Sequence, residues 1–213
     1  KADTAEKITA IINQQQERFG RIIQDVSCGL KKHNVHIVYN EPVPKEVIAQ
    51  TDQYFFAQIA AYLRIYYPKS ADDFFPENNH IYLAVHLQNT NTRQLAVITI
   101  PSQFLPRFFS VKEKGVQYAI PIEDIIRSKL SFLWPDATVQ NAYSFKVTRD
   151  AELDLEDEFK GNLAQKIATQ IARRDYGLVT RLLYDKEMPA ILLEQLVYSF
   201  NLQNAMIIPG GTY

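Results

Sequence analysis

The spacing of apolar residues changes period along this chain, and that change limits the folds open to it more than any other feature. Between residues 4 and 32, Ile8, Ile12, Phe19, Ile22, Ile23, Val26 and Leu30 recur at steps of three and four, which sets them in one stripe along a helix. At 1.5 Å per residue such a helix reaches about 40 Å. Asp3 or Thr4 can cap its start, and Gln14 to Gln16 with Glu17, Arg18 and Arg21 form its polar face. The helix is therefore expected to lie on something larger rather than to centre a core. From His80 onward the period shortens. His80–Leu87 and Leu95–Ile100 are runs of β-formers around a turn cluster at Asn89–Thr92, and Phe108–Val111 and Val116–Ile120 flank Lys112–Gly115. Each pair predicts a hairpin.

The remaining segments mix both periods. Val35–Tyr39 reads as a short strand, Pro42 and Pro44 enforce an extended link, and a helix is expected from Lys45 to Tyr66, closed by Pro68. Pro121 opens a helix that carries Glu123 and Asp124 in its first turn, then Ile125, Ile126, Leu130 and Leu133, and ends at Pro135. Thr138–Val147 alternates as a strand, Glu156–Arg174 is amphipathic up to Gly177, Leu178–Tyr184 is a strand and Met188–Phe200 a last helix. The apolar Met206–Ile208 has no partner downstream in the sequence. Strands and helices without regular alternation predict an α+β fold: a mixed or antiparallel sheet packed with helices, preceded by a long N-terminal helix. At 213 residues the chain is long enough for one large domain, or one domain with a short appended element.

Composition removes several functions. With 23 basic and 24 acidic side chains and a net charge of −1, no basic field exists to attract nucleic acid, and none is expected as a partner. The lone Cys28 excludes an internal disulfide and a Cys-rich zinc site, and favours a reducing compartment. Apolar runs such as Ile59–Ile65 are broken by Arg64 and fall short of the roughly 20 residues a bilayer crossing needs. The N-terminal Lys1-Ala2-Asp3-Thr4 offers neither an initiator methionine nor a secretory signal, so the sequence is expected to be a piece of a longer chain.

Catalytic and metal-binding residues are expected to be absent. His33, His36, His80 and His86 lack a ligand spacing, His80 and His86 share one strand face with no acidic or thiol partner nearby, and no glycine-rich phosphate loop or Gly-x-Ser-x-Gly elbow occurs. Cys28 lies inside the first helix, where a packed thiol is the expectation. The cluster Thr148–Glu158 admits two readings. Asp150, Glu152 and Asp154 could gather a hard cation, or line a solvent face and then favour the start of the next helix. Arg149 suits a phosphate or a buried carboxylate. Arg173 and Arg174 answer a helix C-terminus, whereas Arg107, held between Pro106 and two phenylalanines, is a candidate for contact with an anion or another domain.

Read in order, Leu105-Pro-Arg-Phe108, Ile120 through Glu123-Asp124-Ile-Ile126, and Tyr143-Ser-Phe-Lys-Val-Thr-Arg-Asp-Ala-Glu-Leu153 resemble the middle, or head, domain of the long-form polyphosphate kinases. Arg173-Arg174-Asp-Tyr-Gly177, Arg181-Leu-Leu-Tyr-Asp185 and Met188-Pro189 continue the resemblance, which covers nearly the whole chain. Phe145–Asp150 is its most specific part; the family more often has Arg where Lys146 stands. The resemblance implies a connecting helix from an N-terminal helical domain over residues 1–34 and the head domain over 35–213. It implies a cytoplasmic parent enzyme, peripherally associated with membranes at most, that moves the terminal phosphate of ATP to polyphosphate through a phosphohistidine. Mg and ATP would serve that parent without binding fully to this fragment. The catalytic histidines would lie in the missing C-terminal domains, and the head would assist homo-oligomerisation and support the substrate tunnel. Arg107 and Arg149 are then the expected substrate or inter-domain contacts. A free-standing protein-interaction module without phosphate chemistry is the competing expectation, and a self-sufficient small enzyme a third.

Overall fold

The computed structural model describes residues 2–39, 41–68, 75–88, 93–149 and 179–210. Helix α1 (Ala2–Lys31) realises the stripe in one run of 30 residues. Asn34, at φ 60°, turns the chain out of it into β1 (Val35–Ile37), a conformation that asparagine tolerates better than most residues. Ile8, Ile11, Phe19, Ile22 and Val26 remain about half exposed along α1, so the described chain leaves its apolar side uncovered.

Two mixed sheets carry the rest. The larger has the order β2 (Arg64–Tyr66), β4 (Arg93–Thr99), β3 (Ile81–Gln88), β7 (Thr138–Arg149), β8 (Val179–Tyr184), β9 (Met206–Pro209). All its pairs are antiparallel except β8 with β9. The smaller sets β6 (Val116–Pro121) between β1, which runs parallel to it, and β5 (Phe108–Glu113), which runs antiparallel. Strand β3 is buried on both faces because successive side chains point to opposite sides. Leu83, Val85 and Leu87 join Ile98, Ile120, Ile125 and Trp134 in one core. Tyr82 and Ala84 join Val97, Phe145, Leu182, Leu192 and Leu196 in a second core beneath the last helix, Ala190–Ser199.

Two expectations, on the second helix and on the Pro121-led helix, are corrected. The second helix starts at Lys45 but stops at Tyr62: Lys45–Val47 is 3-10, α2 (Ile48–Tyr54) is α-helical, Phe55–Ile59 widens to π winding and Ala60–Tyr62 tightens to 3-10. Arg64–Tyr66 leaves it as β2, pairing Ile65 with Ile98, because a β-branched and an aromatic residue shortly before Pro68 favour extended backbone. The Pro121-led helix is broken at Lys129, with φ −113° and ψ 8°, into α3 (Ile122–Ser128) and α4 (Leu130–Leu133). Met206–Ile208 finds its partner upstream, where Arg181, Leu182 and Leu183 of β8 pair with it in parallel. The two hairpins, the strand at Thr138 and the last helix form as expected. The turn at Asn89–Thr92, the acidic run from Asp150 to Glu158 and the helix expected at Glu156–Arg174 lie outside the described residues.

Candidate functional site

The β5–β6 register builds the site. Phe108 pairs with Pro121, so Arg107 stands beside the start of α3, and its carbonyl accepts the Ile122 N–H at 3.0 Å. Pro121, at φ −59° and ψ 140°, ends the strand, and α3 starts at Ile122 with Glu123 and Asp124 in its first turn. Both carboxylates are buried, at 1% and 4% exposure. A buried carboxylate needs a cation and hydrogen bonds, and two arginines provide them. Arg107 donates from Nη2 to Glu123 Oε1. Arg127 donates from Nη1 to Asp124 Oδ1 and reaches across to β7, giving Nε to the Ala142 carbonyl at 3.2 Å and Nη2 to Ser144 Oγ at 2.6 Å.

Arg107, Glu123, Arg127 and Ser144 wall a cavity of about 570 Å³, completed by Lys146, Tyr184, Asp185, Lys186 and Gly210. Backbone contacts hold the far side in place. The Asp185 N–H donates to the Ser144 carbonyl at 2.9 Å, the Glu187 N–H to Asp185 Oδ1 at 3.0 Å and the Gly210 N–H to the Tyr184 carbonyl at 2.6 Å. A Cβ on Gly210 would stand 3.2 Å from that carbonyl, so the close approach suits glycine. Arg107 Nε and Glu123 Oε2 are buried with no hydrogen-bond partner among the described residues.

Arg149, the other nominated arginine, does not line this cavity. It is 6% exposed, its Nε donates to the Pro76 carbonyl at 2.8 Å and its backbone N–H to Asn78 Oδ1 at 3.0 Å. The guanidinium carbon sits 3.5 Å over the Phe75 ring, a cation–π contact. Burial lowers its pKa. The residue pins the loop before β3 to the end of β7. Beneath it the Tyr82 hydroxyl accepts the Glu77 N–H at 2.8 Å, and burial pushes its pKa up to about 12.

His80, just ahead of β3, sets Nδ1 3.1 Å from Glu77 Oε2 and Nε2 against Gln103. The expectation that it lacks an acidic neighbour is therefore corrected, because the loop bends Glu77 back onto it. His36 Nε2 is 3.5 Å from Glu41 and its ring lies against Tyr118. Cys28 is exposed on α1 rather than packed, because it falls off the apolar stripe of a helix that little else covers. Among the described residues no three His, Cys, Asp or Glu are grouped to hold a metal ion, and no helix is long and apolar enough to cross a membrane.

Sequence reasoning found Arg107 but missed Glu123, Asp124 and Arg127 as its companions. The signal was there: two acids flanked by Ile120, Ile122, Ile125 and Ile126 sit where a helix dipole alone would not demand such apolar neighbours.

Fold and site together define an α+β module in which paired arginines and carboxylates brace a cavity between strand ends and a short helix. The description "polyphosphate kinase middle domain" matches residues 47–213, and the chain belongs to that family. It is 27% identical over 216 residues to a polyphosphate kinase of Vibrio parahaemolyticus, covering 97% of this chain and 31% of the relative. Against that of Prochlorococcus marinus it is 30% identical over 202 residues, covering 89% and 28%. The crystal structure of polyphosphate kinase from Porphyromonas gingivalis shares the fold, with a TM-score of 0.79 at 24% identity over 98% of this chain and 30% of that one. The chain thus spans about a third or less of the proteins it matches.

Proposed function

We propose that this chain is the head portion of a polyphosphate kinase that transfers the terminal phosphate of ATP to polyphosphate through a phosphohistidine. Residues 35–213 form the head, and residues 1–34 the helix that joins it to an N-terminal helical domain. The observation that carries this reading is the middle-domain match over residues 47–213. The half-exposed stripe on α1 supports the connecting role, since an exposed apolar face of that length marks an interaction site.

The head serves dimerisation and the support of the substrate tunnel in a cytoplasmic enzyme, and the chemistry belongs to other domains. Two exposed aromatic pairs support the dimerisation role: Phe56 with Phe132, edge to face at 4.9 Å, and Tyr62 stacked on Phe104 at 5.2 Å. Mg and ATP serve the parent and do not bind fully here, because Glu123 of the cavity wall and Asp124 beside it are engaged by arginines rather than open to a metal. Of the two nominated arginines, Arg107 is the better inter-domain contact, being 34% exposed at a cavity rim where Arg149 is enclosed.

The isolated chain given Mg and γ-labelled ATP is expected to form neither labelled polyphosphate nor phosphoprotein, and light scattering is expected to report twice the monomer mass. Turnover by the isolated chain would overturn the non-catalytic role. A strict monomer would move the dimer contact elsewhere.

A further inference from the structure

The cavity behind Arg107 has a charge pattern that selects its occupant. Its arginines are already answered, Arg107 by Glu123 and Arg127 by Asp124, Ala142 and Ser144. A phosphate polymer is held where positive side chains are in excess, and arginines so matched leave little excess. Lys146 and Lys186 line the same wall, Lys146 with no carboxylate partner among the described residues, while Asp185 and Glu187 add the opposite sign. A donor, Arg107 Nε, and an acceptor, Glu123 Oε2, are buried with no hydrogen-bond partner among the described residues; Arg107, one third open to solvent, can re-aim to meet an incoming group.

A wall that mixes charged groups of both signs suits polypeptide, which offers an N–H and a C=O at nearly every residue and side chains of either charge. Position adds to this. Gly210 is part of the wall, so the chain passes the cavity as it leaves β9. A segment a few residues further on would reach it by its own tether, at an effective concentration on the order of millimolar.

We infer that the cavity is the docking socket for the stretch of parent chain that follows residue 213, with an Asp or Glu of that stretch paired to Lys146. The inference rests on the reading that the chain is part of a longer kinase, as relatives of which it covers 31% and 28% suggest.

Zero-length carbodiimide coupling tests it on the parent enzyme, prepared from equal parts of ordinary and ¹⁵N-labelled copies. Lys146 is expected to couple to an Asp or Glu beyond residue 213 in peptides of matching label. Its acetylation by an N-hydroxysuccinimide ester is expected to be at least 10-fold slower in the parent than in the isolated chain, with the exposed Lys112 and Lys114 unchanged. Equal reactivity in the two forms overturns the socket, as does coupling between labels or the absence of a coupled peptide. Titrating the isolated chain with inorganic polyphosphate tests the other ligand: protection of Lys146 there gives the cavity to the anion and overturns the proposal. Polyphosphate synthesis from ATP by the parent, measured separately, reports on the family reading, so the two can fail independently.

Discussion

Removing the Arg107 guanidinium isolates a carboxylate that has almost no access to water. Glu123 is 1% exposed, and its pairing with Arg107 is the one cationic contact it makes among the described residues. Breaking a fully buried pair from one side costs about 3–5 kcal/mol, because the remaining charge stays desolvated. Arg107 is 34% exposed, and water entering the vacated space lowers that to about 2.5 kcal/mol for Arg107→Ala. Glu123→Gln keeps the shape and leaves a guanidinium that water can reach, for about 1.5 kcal/mol. The double variant should cost no more than about 2.5 kcal/mol, so the cycle gives a coupling of about 1.5 kcal/mol. Urea titration followed by tryptophan fluorescence reads this out; with a slope near 2.5 kcal/mol/M, Arg107→Ala lowers the midpoint by about 1 M. A coupling below about 0.5 kcal/mol would refute the claim that Arg107 is a structural partner of Glu123. The residue would then be free to act solely as a contact to other domains.

Arg149→Met is expected to cost about 2 kcal/mol through loss of the Pro76 hydrogen bond and the stack on Phe75. Arg149→Lys should recover less than half of it, since an ammonium cannot reproduce the planar contact; full recovery in denaturant titrations would contradict this. Tyr82, pushed up to about 12 by burial, stays neutral in the folded chain while the unfolded chain ionises near pH 10. Its contribution to stability is therefore whole below pH 10 and is lost as pH rises from about 10 to 12. Melting temperatures across that range should fall, and Tyr82→Phe should flatten the fall; an unchanged slope in that variant would assign the alkaline loss elsewhere. Tyr67→Phe strips the acceptor from Trp134 Nε1, bonded at 2.7 Å, and is expected to cost about 1 kcal/mol. The chain has one tryptophan, so a shift in its emission maximum reports the loss directly, and an unchanged spectrum would rule the bond out.

Much of the fold was legible because its elements carry strong local signals. The stripe from Ile8 to Leu30 and the runs around Leu83 and Ile98 each announce one period, and α1, β3 and β4 formed as read. The second helix misled because its composition stays apolar while its winding changes from α to π to 3-10 across Phe55–Tyr62, and hydrophobic spacing does not register such changes. Met206–Ile208 has no partner downstream in the sequence for a topological reason: its partner is a strand already passed, joined in parallel across a helix. At the site, Arg107 stood out through its proline and aromatic neighbours. Its carboxylate lies 16 positions away, a separation that becomes a contact through the pairing of Phe108 with Pro121. Arg149 looked equally available in sequence, yet its destination depends on Phe75 and Pro76, 74 and 73 positions upstream.

That difference decides what each arginine can contribute. A guanidinium enclosed by a carbonyl and an aromatic face, as at Arg149, has its donors and its ring face committed within the domain, and moving it outward would unseat the loop before β3. Arg107 keeps one side on Glu123 and the other at the cavity rim, so it can gain a partner without losing the first. Arg127 adds the mechanical link, because it ties Asp124 of α3 to Ala142 and Ser144 of β7 and so joins the helix after the small sheet to the large one. A segment seated between Lys146 and Arg107 would press on both sheets at the point where they are already braced. Binding there would stiffen an existing joint rather than create one.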